Sequence, residues 1–170
     1  MMTERKVYDE EGHIQFVTFS CYKKRRLLDD DVAKRIVVGV MASQLAKQKG
    51  YCVGFVIMPD HVHAMVWFPE TNQLIHFMKQ WKQRSSIQIQ KRLKPVFPNY
   101  FSHTDSSDPV WQARFYAFNV YSDKKVDEKL DYMHCNPVKA GLVKDMPDWK
   151  YSSARWYVNG ESVGVPIRVP

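Results

Sequence analysis

The chain has 170 residues, a formal net charge of +7, 45% hydrophobic and 14% aromatic residues. That length favours a single domain over residues 1–170, with a core from about 14 to 157. No run approaches the roughly 18 apolar residues of a membrane span, and residues 1–6 lack the apolar segment of a signal peptide. Three scattered cysteines argue against a disulfide scaffold. The composition therefore predicts a folded, cytoplasmic protein with no membrane partner.

The first half of the chain predicts a strand, a helix and a β-hairpin. The strands alternate apolar and polar residues or are rich in β-branched and aromatic residues, and the helix repeats apolar residues at helical spacing before Gly50. The predicted ranges are a strand at 14–20, a helix at 32–49, and two strands at 51–58 and 61–68, joined by a turn at Pro59 and Asp60.

The second half predicts a helix from Thr71, as its N-cap, to about Leu93, a loop over 95–109, a strand at 115–120 and a helix from about 122 to 135. Proline disfavours a helical residue before it, so Pro137 is expected to end the last helix. The apolar residues of the second helix expected to face the sheet are Leu74, Ile75, Met78, Trp81 and Ile87. The order β-α-β-β-α-β predicts an α+β, ferredoxin-like split βαβ fold, with helices on one face of an antiparallel sheet and a C-terminal catalytic helix.

The segment Pro59-Asp60-His61-Val62-His63 opens the third predicted strand. Because side chains alternate along a strand, His61 and His63 share one face and Val62 points into the core. Their Cα atoms would lie roughly 6.5–7 Å apart. Both imidazoles can then reach a single metal ion.

A second group of polar residues follows about seventy positions later. On the last predicted helix Tyr132 and Asn136 stand one turn apart and share a face, which places a nucleophilic hydroxyl beside an amide oxygen able to bind a metal. Tyr116 and Tyr121 have no Asn or Gln four residues on. His134 is an alternative metal ligand, but it points roughly 160° away from Tyr132 around the helix.

The positive charge is concentrated in one segment. Residues 71–104 carry six basic residues and no acidic one, whereas solvated helices usually mix the two signs. Such a patch is typical of a surface that binds nucleic acid. The predicted DNA-binding residues are Lys79, Lys82, Arg84, Lys91, Arg92 and Lys94.

The segment from Pro59 to His63, followed by Tyr132 and by Asn136-Pro137-Val138-Lys139-Ala140-Gly141, resembles the single-tyrosine HUH transposases of the IS200/IS605 type. Among them it is most similar to the REP-associated tyrosine transposases. The resemblance covers about residues 14–157 and implies one HUH domain of this type.

This resemblance implies that Tyr132 joins the 5′-phosphate of cleaved single-stranded DNA and frees a 3′-hydroxyl, so that a second strand can rejoin. It further implies a divalent ion, Mg²⁺ or Mn²⁺, held by His61, His63 and Asn136. The expected DNA partner contains a hairpin, such as a REP element. Mobile relatives act as homodimers, and the REP-associated kind are expected to act as monomers.

Two other functions remain open at this point. One is a non-catalytic DNA-hairpin-binding protein descended from a transposase, against which the intact Tyr132, His61, His63 and Asn136 argue. The other is a metal-dependent hydrolase unrelated to DNA, for which the sequence offers only Asp60 as an acidic ligand near the histidines.

Overall fold

A four-stranded antiparallel sheet in the order β2-β3-β1-β4 forms the centre of the fold. The computed structural model describes residues 13–103, 105 and 107–170. The strands are β1 (Ile14–Ser20), β2 (Tyr51–Ile57), β3 (His61–Trp67) and β4 (Tyr116–Val120). The predicted α+β fold with an antiparallel split βαβ sheet is confirmed.

The helices lie on both faces of this sheet. They are α1 (Asp31–Lys47), α2 (Gln73–Val96), α3 (Pro98–Ser102), α4 (Asp123–Lys139) and α5 (Ala154–Asn159). The helices α1 and α2 pack together on one face, where Val17, Phe19 and Val62 meet them. The opposite face carries Phe16 and Met65 and is covered by α4. The expected location on one face therefore holds for α1 and α2, and the C-terminal helix α4 lies on the other, where Tyr157 of α5 also packs.

The buried stripe of α2 differs from the predicted one. Leu74, Met78 and Trp81 are buried as expected, but Ile75 and Ile87 are 53% and 50% exposed. Each lies six residues from Trp81, which is about 120° away around an α-helix. The remaining buried positions are Phe77, Ser85, Ile89 and Leu93. The prediction that Ile75 and Ile87 face the sheet was wrong, because it rested on residue type. The position of a residue around the helix decides which side chains are buried.

Both ends of α2 also differ from the prediction. Its N-cap is Asn72, in a left-handed conformation with φ of 68°, and not Thr71. The helix continues through Pro95 to Val96, and the short helix α3 follows within the segment predicted as a loop.

The helix α4 does not end at Pro137 as predicted. It continues to Lys139, because the proline removes only one backbone donor and the last turn is held by other bonds. The Leu142 N–H donates to the Pro137 carbonyl at 2.9 Å and the Gly141 N–H to the Val138 carbonyl at 3.0 Å. Gly141 has φ of 73°, as expected for the left-handed glycine of a Schellman motif. Glycine, and not proline, ends this helix.

Close contact between α4 and β2 depends on Gly54. A β-bulge lies between Cys52 and Gly54, and a Cβ atom at Gly54 would come within 2.5 Å of Leu130 Cδ2 and 3.1 Å of Met133 Cε. Both methyl groups belong to α4. The missing side chain therefore sets how near α4 can lie to the sheet.

We expect Gly54→Ala to destabilise the protein by roughly 1–3 kcal/mol, the usual cost of overpacking a core. Gly39→Ala is the matched control, because a Cβ atom at Gly39 meets nothing within 4 Å and alanine favours the α1 helix. Urea denaturation of both variants measures the two free energies of unfolding. An unchanged midpoint for Gly54→Ala would show that Leu130 and Met133 move aside freely.

Candidate active site

The two histidines of β3 lie side by side on the face that α4 covers. Their ring centroids are 4.8 Å apart with an interplanar angle of 76°. Val62 between them is fully buried in the core on the other face. Strand alternation therefore places both imidazoles in front of the sheet, as the sequence predicts.

Each imidazole is held through its Nδ1 atom. His61 Nδ1 lies 2.6 Å from Asp60 Oδ1, and His63 Nδ1 lies 2.7 Å from the Thr18 hydroxyl. Thr18 is directly opposite His63 in the pairing of β1 with β3. Among the described residues, the buried Nε2 atom of His63 has no hydrogen-bond partner. The partners at Nδ1 thus leave Nε2 as the ring atom available for a ligand.

His63 is held in its neutral form. Burial, reinforced by the positive charges of His61, Lys24 and Lys129, lowers the pKa of His63 to about 3. A neutral imidazole is the form that binds a metal ion. The ring is therefore ready to act as a ligand near pH 7.

The helix α4 brings Tyr132 to the same place. Its ring centroid lies 5.3 Å from that of His63 and 6.2 Å from that of Phe16, and the side chain is 48% exposed. Asn136 follows one turn later and shares this side of the helix. The structure thus brings Tyr132 and the two histidines together within one chain.

His134 helps to hold α4 against Ser153 and lies away from the pair of His61 and His63. Its Nε2 atom lies 2.7 Å from the Ser153 hydroxyl, which also accepts the Phe55 N–H at 2.9 Å. The ring contacts Tyr157, and burial lowers the pKa of His134 to about 4. Its orientation away from Tyr132 agrees with the predicted angle around the helix.

The donor atoms in front of the sheet fit a divalent ion. His61 and His63 offer imidazole nitrogens, one of them buried without a partner in the described part of the chain, and Asn136 adds an amide oxygen on the facing helix. No cluster of three or more His, Cys, Asp or Glu residues suited to a metal occurs among the described residues. Together these three groups would form a neutral ligand set, which is compatible with Mg²⁺ and better suited to Mn²⁺.

Two lysines outside the predicted DNA-binding set of α2 flank the site. The Lys129 ammonium lies over the Phe16 and Phe118 rings, 4.8 and 5.0 Å from their centroids, and 5.8 Å from that of Tyr132. Lys24 donates to the Ser20 hydroxyl at 3.0 Å, and Ser20 is opposite His61 in the sheet. Both ammonium groups therefore add positive potential where an anionic substrate would lie.

The sequence contained a signal for only one of these lysines. Lys129 is three residues before Tyr132 and so shares its side of α4. Lys24 returns to the sheet because Lys23 and Lys24 adopt left-handed backbone conformations, with φ of 52° and 55°. Such conformations are uncommon for residues other than glycine, and no sequence pattern predicts them here.

The predicted DNA-binding residues of α2 lie behind the sheet, on the layer opposite Tyr132. Two of them contact other segments of the chain: Lys82 Nζ donates to the Gln112 carbonyl at 2.7 Å, and Arg92 pairs with Asp30 at 3.2 Å. Burial lowers the pKa of Lys82. The residues that remain exposed are Lys79, Arg84, Lys91 and Lys94. Their contact with DNA stays a prediction.

Comparison with known proteins places the chain in a family. A model of the family described as transposase IS200 like matches residues 9–136. A Haemophilus influenzae protein, named provisionally as a REP-associated tyrosine transposase, is 32% identical over 110 residues, which are 64% of this chain and 61% of that protein. The REP-associated tyrosine transposase of Escherichia coli is 29% identical over 99 residues, 58% of this chain and 51% of that protein.

The matched region thus spans between half and two thirds of the length of these curated relatives. A solved REP-associated tyrosine transposase bound to a REP hairpin matches 99% of this chain and 94% of that chain, with a TM-score of 0.72 and 20% identity. At that identity the likeness concerns the fold. The family model covers both histidines, Tyr132 and Asn136, and the chain belongs to the IS200-like transposase family.

Proposed function

We propose that this chain cuts and rejoins single-stranded DNA through a covalent bond between Tyr132 and a 5′-phosphate. The observation that supports this most directly is the position of the Tyr132 ring, 5.3 Å from that of His63. The buried Nε2 atom of His63, which has no hydrogen-bond partner among the described residues, adds a ligand for the proposed divalent ion. A nucleophile beside a metal-binding pair suits transfer of a phosphodiester.

In the first step the Tyr132 hydroxyl loses its proton and its oxygen attacks the scissile phosphorus. The bond from phosphorus to the 3′-oxygen breaks, and that oxygen takes up a proton to become a free 3′-hydroxyl. Because a phosphotyrosine bond replaces the phosphodiester, attack by another 3′-hydroxyl regenerates Tyr132 without ATP. A divalent ion bound by His61, His63 and Asn136 would polarise the phosphate as a Lewis acid.

The chain's own charges assist the same step. A phosphate entering between α4 and β3 meets the ammonium groups of Lys24 and Lys129, which offset its negative charge. Tyr132 is about half exposed, so a long DNA strand can approach it without entering a closed cavity.

The proposed substrate is single-stranded DNA with a hairpin of the REP type. The solved relative with a similar fold is bound to a REP hairpin, and two curated relatives carry that element in their names.

Since Tyr132 and the histidines come from one chain, we propose that the monomer suffices, with a homodimer as the alternative.

No helix among the described residues is long and apolar enough to cross a membrane. The cytoplasmic location stays a prediction.

Incubation with end-labelled hairpin DNA and Mn²⁺, followed by a denaturing gel, tests the reaction. A label at the 3′ end should migrate with the protein, because Tyr132 retains the strand that carries the 5′-phosphate. A label at the 5′ end should appear in a shorter free fragment. Hairpin binding without either product would favour the non-catalytic DNA-binding protein, and cleavage without protein attachment would favour a hydrolase.

We expect the exposed basic residues of α2 to contact the DNA backbone. Each phosphate contact on single strands contributes a slope of roughly −0.7 in log K against log salt. Replacing Lys79, Arg84 and Lys91 together with glutamine should therefore flatten the slope by up to about 2 units. Fluorescence anisotropy at several salt concentrations measures it. An unchanged slope would place the DNA on another surface, such as the one that includes Lys24 and Lys129.

A further inference from the structure

We infer that Asp60 and Thr18 are positioning residues that hold His61 and His63 in the tautomer with the proton on Nδ1, so that both Nε2 atoms can bind one divalent ion. The inference rests on the proposed function for the purpose of the site. The tautomers themselves are properties of the metal-free chain, and they can be measured without any reaction.

The partner of His61 fixes a proton on its Nδ1 atom. A carboxylate accepts hydrogen bonds and donates none, so the 2.6 Å contact with Asp60 Oδ1 requires the proton on Nδ1. Asp60 is itself fixed, because its carbonyl accepts the Cys21 N–H at 2.8 Å at the end of β1. In the neutral ring, Nε2 then carries the lone pair.

The partner of His63 leaves two arrangements, since the Thr18 hydroxyl can donate or accept. With the proton on Nε2, a buried N–H donor would lack a partner within the described part of the chain, and buried donors without a partner are rarer in proteins than buried acceptors without one. With the proton on Nδ1, the ring donates to Thr18 Oγ1 at 2.7 Å. The Nε2 lone pair is then available to bind a metal ion.

The two partners differ in charge, and this difference predicts unequal effects. Asp60 is a carboxylate and makes the His61 ring a stronger donor, whereas Thr18 is neutral and mainly fixes orientation. Removal of such a partner from a ligating histidine typically costs 10–100-fold in metal affinity. We therefore expect Asp60→Ala to weaken Mn²⁺ binding more than Thr18→Val does.

The tautomers can be read directly by long-range ¹H–¹⁵N NMR correlation of the histidine rings in the metal-free protein. The wild type should show both His61 and His63 with the proton on Nδ1. Asp60→Ala should shift His61 toward the Nε2–H form and leave His63 unchanged, and Thr18→Val should do the reverse. Thr18→Ser, which keeps the hydroxyl, should restore the wild-type pattern. A wild-type ring with the proton on Nε2 overturns the inference for that histidine.

Titration calorimetry with Mn²⁺ gives the second measurement. Asp60→Ala should lose on the order of 10–100-fold in affinity, and Asp60→Asn, which keeps an acceptor but no charge, should fall between it and the wild type. Asp127→Asn, an exposed change on α4, is the matched control. Wild-type affinity in Asp60→Ala overturns the positioning role while the proposed function stands. A wild-type protein that binds no Mn²⁺ overturns the metal-binding purpose of both residues, and the metal dependence of the proposed function with it.

Discussion

Tyr132→Phe is expected to abolish the covalent protein–DNA adduct and to leave hairpin binding nearly unchanged. The substitution removes only the hydroxyl, so the ring keeps its packing against Phe16 and His63. Loss of a nucleophile usually lowers the rate by a factor on the order of 10⁴ or more. A denaturing gel with 3′-labelled hairpin DNA measures the adduct, and anisotropy measures binding.

Tyr116→Phe is the control for this experiment. Tyr116 is opposite Thr18 in the pairing of β4 with β1, so it lies on the same face of the sheet and is 41% exposed. It is therefore the tyrosine best placed to compete with Tyr132. If Tyr116→Phe removes the adduct and Tyr132→Phe retains it, the nucleophile is wrongly assigned.

His61→Ala and His63→Ala should each lose Mn²⁺ binding and adduct formation together. Each change removes a direct ligand, so the loss of affinity should exceed the 10–100-fold that is typical when a supporting partner is removed. Calorimetry with Mn²⁺ measures the affinity, and the labelled-DNA gel measures the chemistry. Circular dichroism melting checks the fold of His63→Ala, whose side chain is buried.

His76→Ala provides the comparison, since His76 is exposed on α2, behind the sheet. It should bind Mn²⁺ as the wild type does. Full affinity in His61→Ala would show that other residues hold the ion.

Local patterns predicted most of the fold. The bounds of β1 agree with the structure, and those of β2 and β3 differ by one residue, because runs of apolar, β-branched and aromatic residues bounded by glycine or proline are a strong signal. The alternation of side chains along a strand places His61 and His63 on one face. The one-turn spacing of Tyr132 and Asn136 similarly follows from helical geometry alone.

The remaining parts depend on contacts between distant segments. The close approach of α4 to the sheet depends on Gly54, about eighty residues away in sequence, and the composition of the helix does not predict it. Thr18 meets His63 only through the register of β1 with β3. The prediction that Ile75 faces the sheet was wrong for a similar reason. An apolar residue can lie on either side of a long helix, and its type does not show which side is buried.

Because Tyr132 lies beside the histidines of its own chain, the number of covalent DNA ends that one protein molecule can hold is limited. One chain offers one nucleophile at one histidine pair, so the proposed reaction can saturate at no more than one covalent DNA end per protein molecule. Excising a DNA segment takes two cuts. A single chain would have to complete the first transfer before beginning the second, whereas two chains could hold both ends at once.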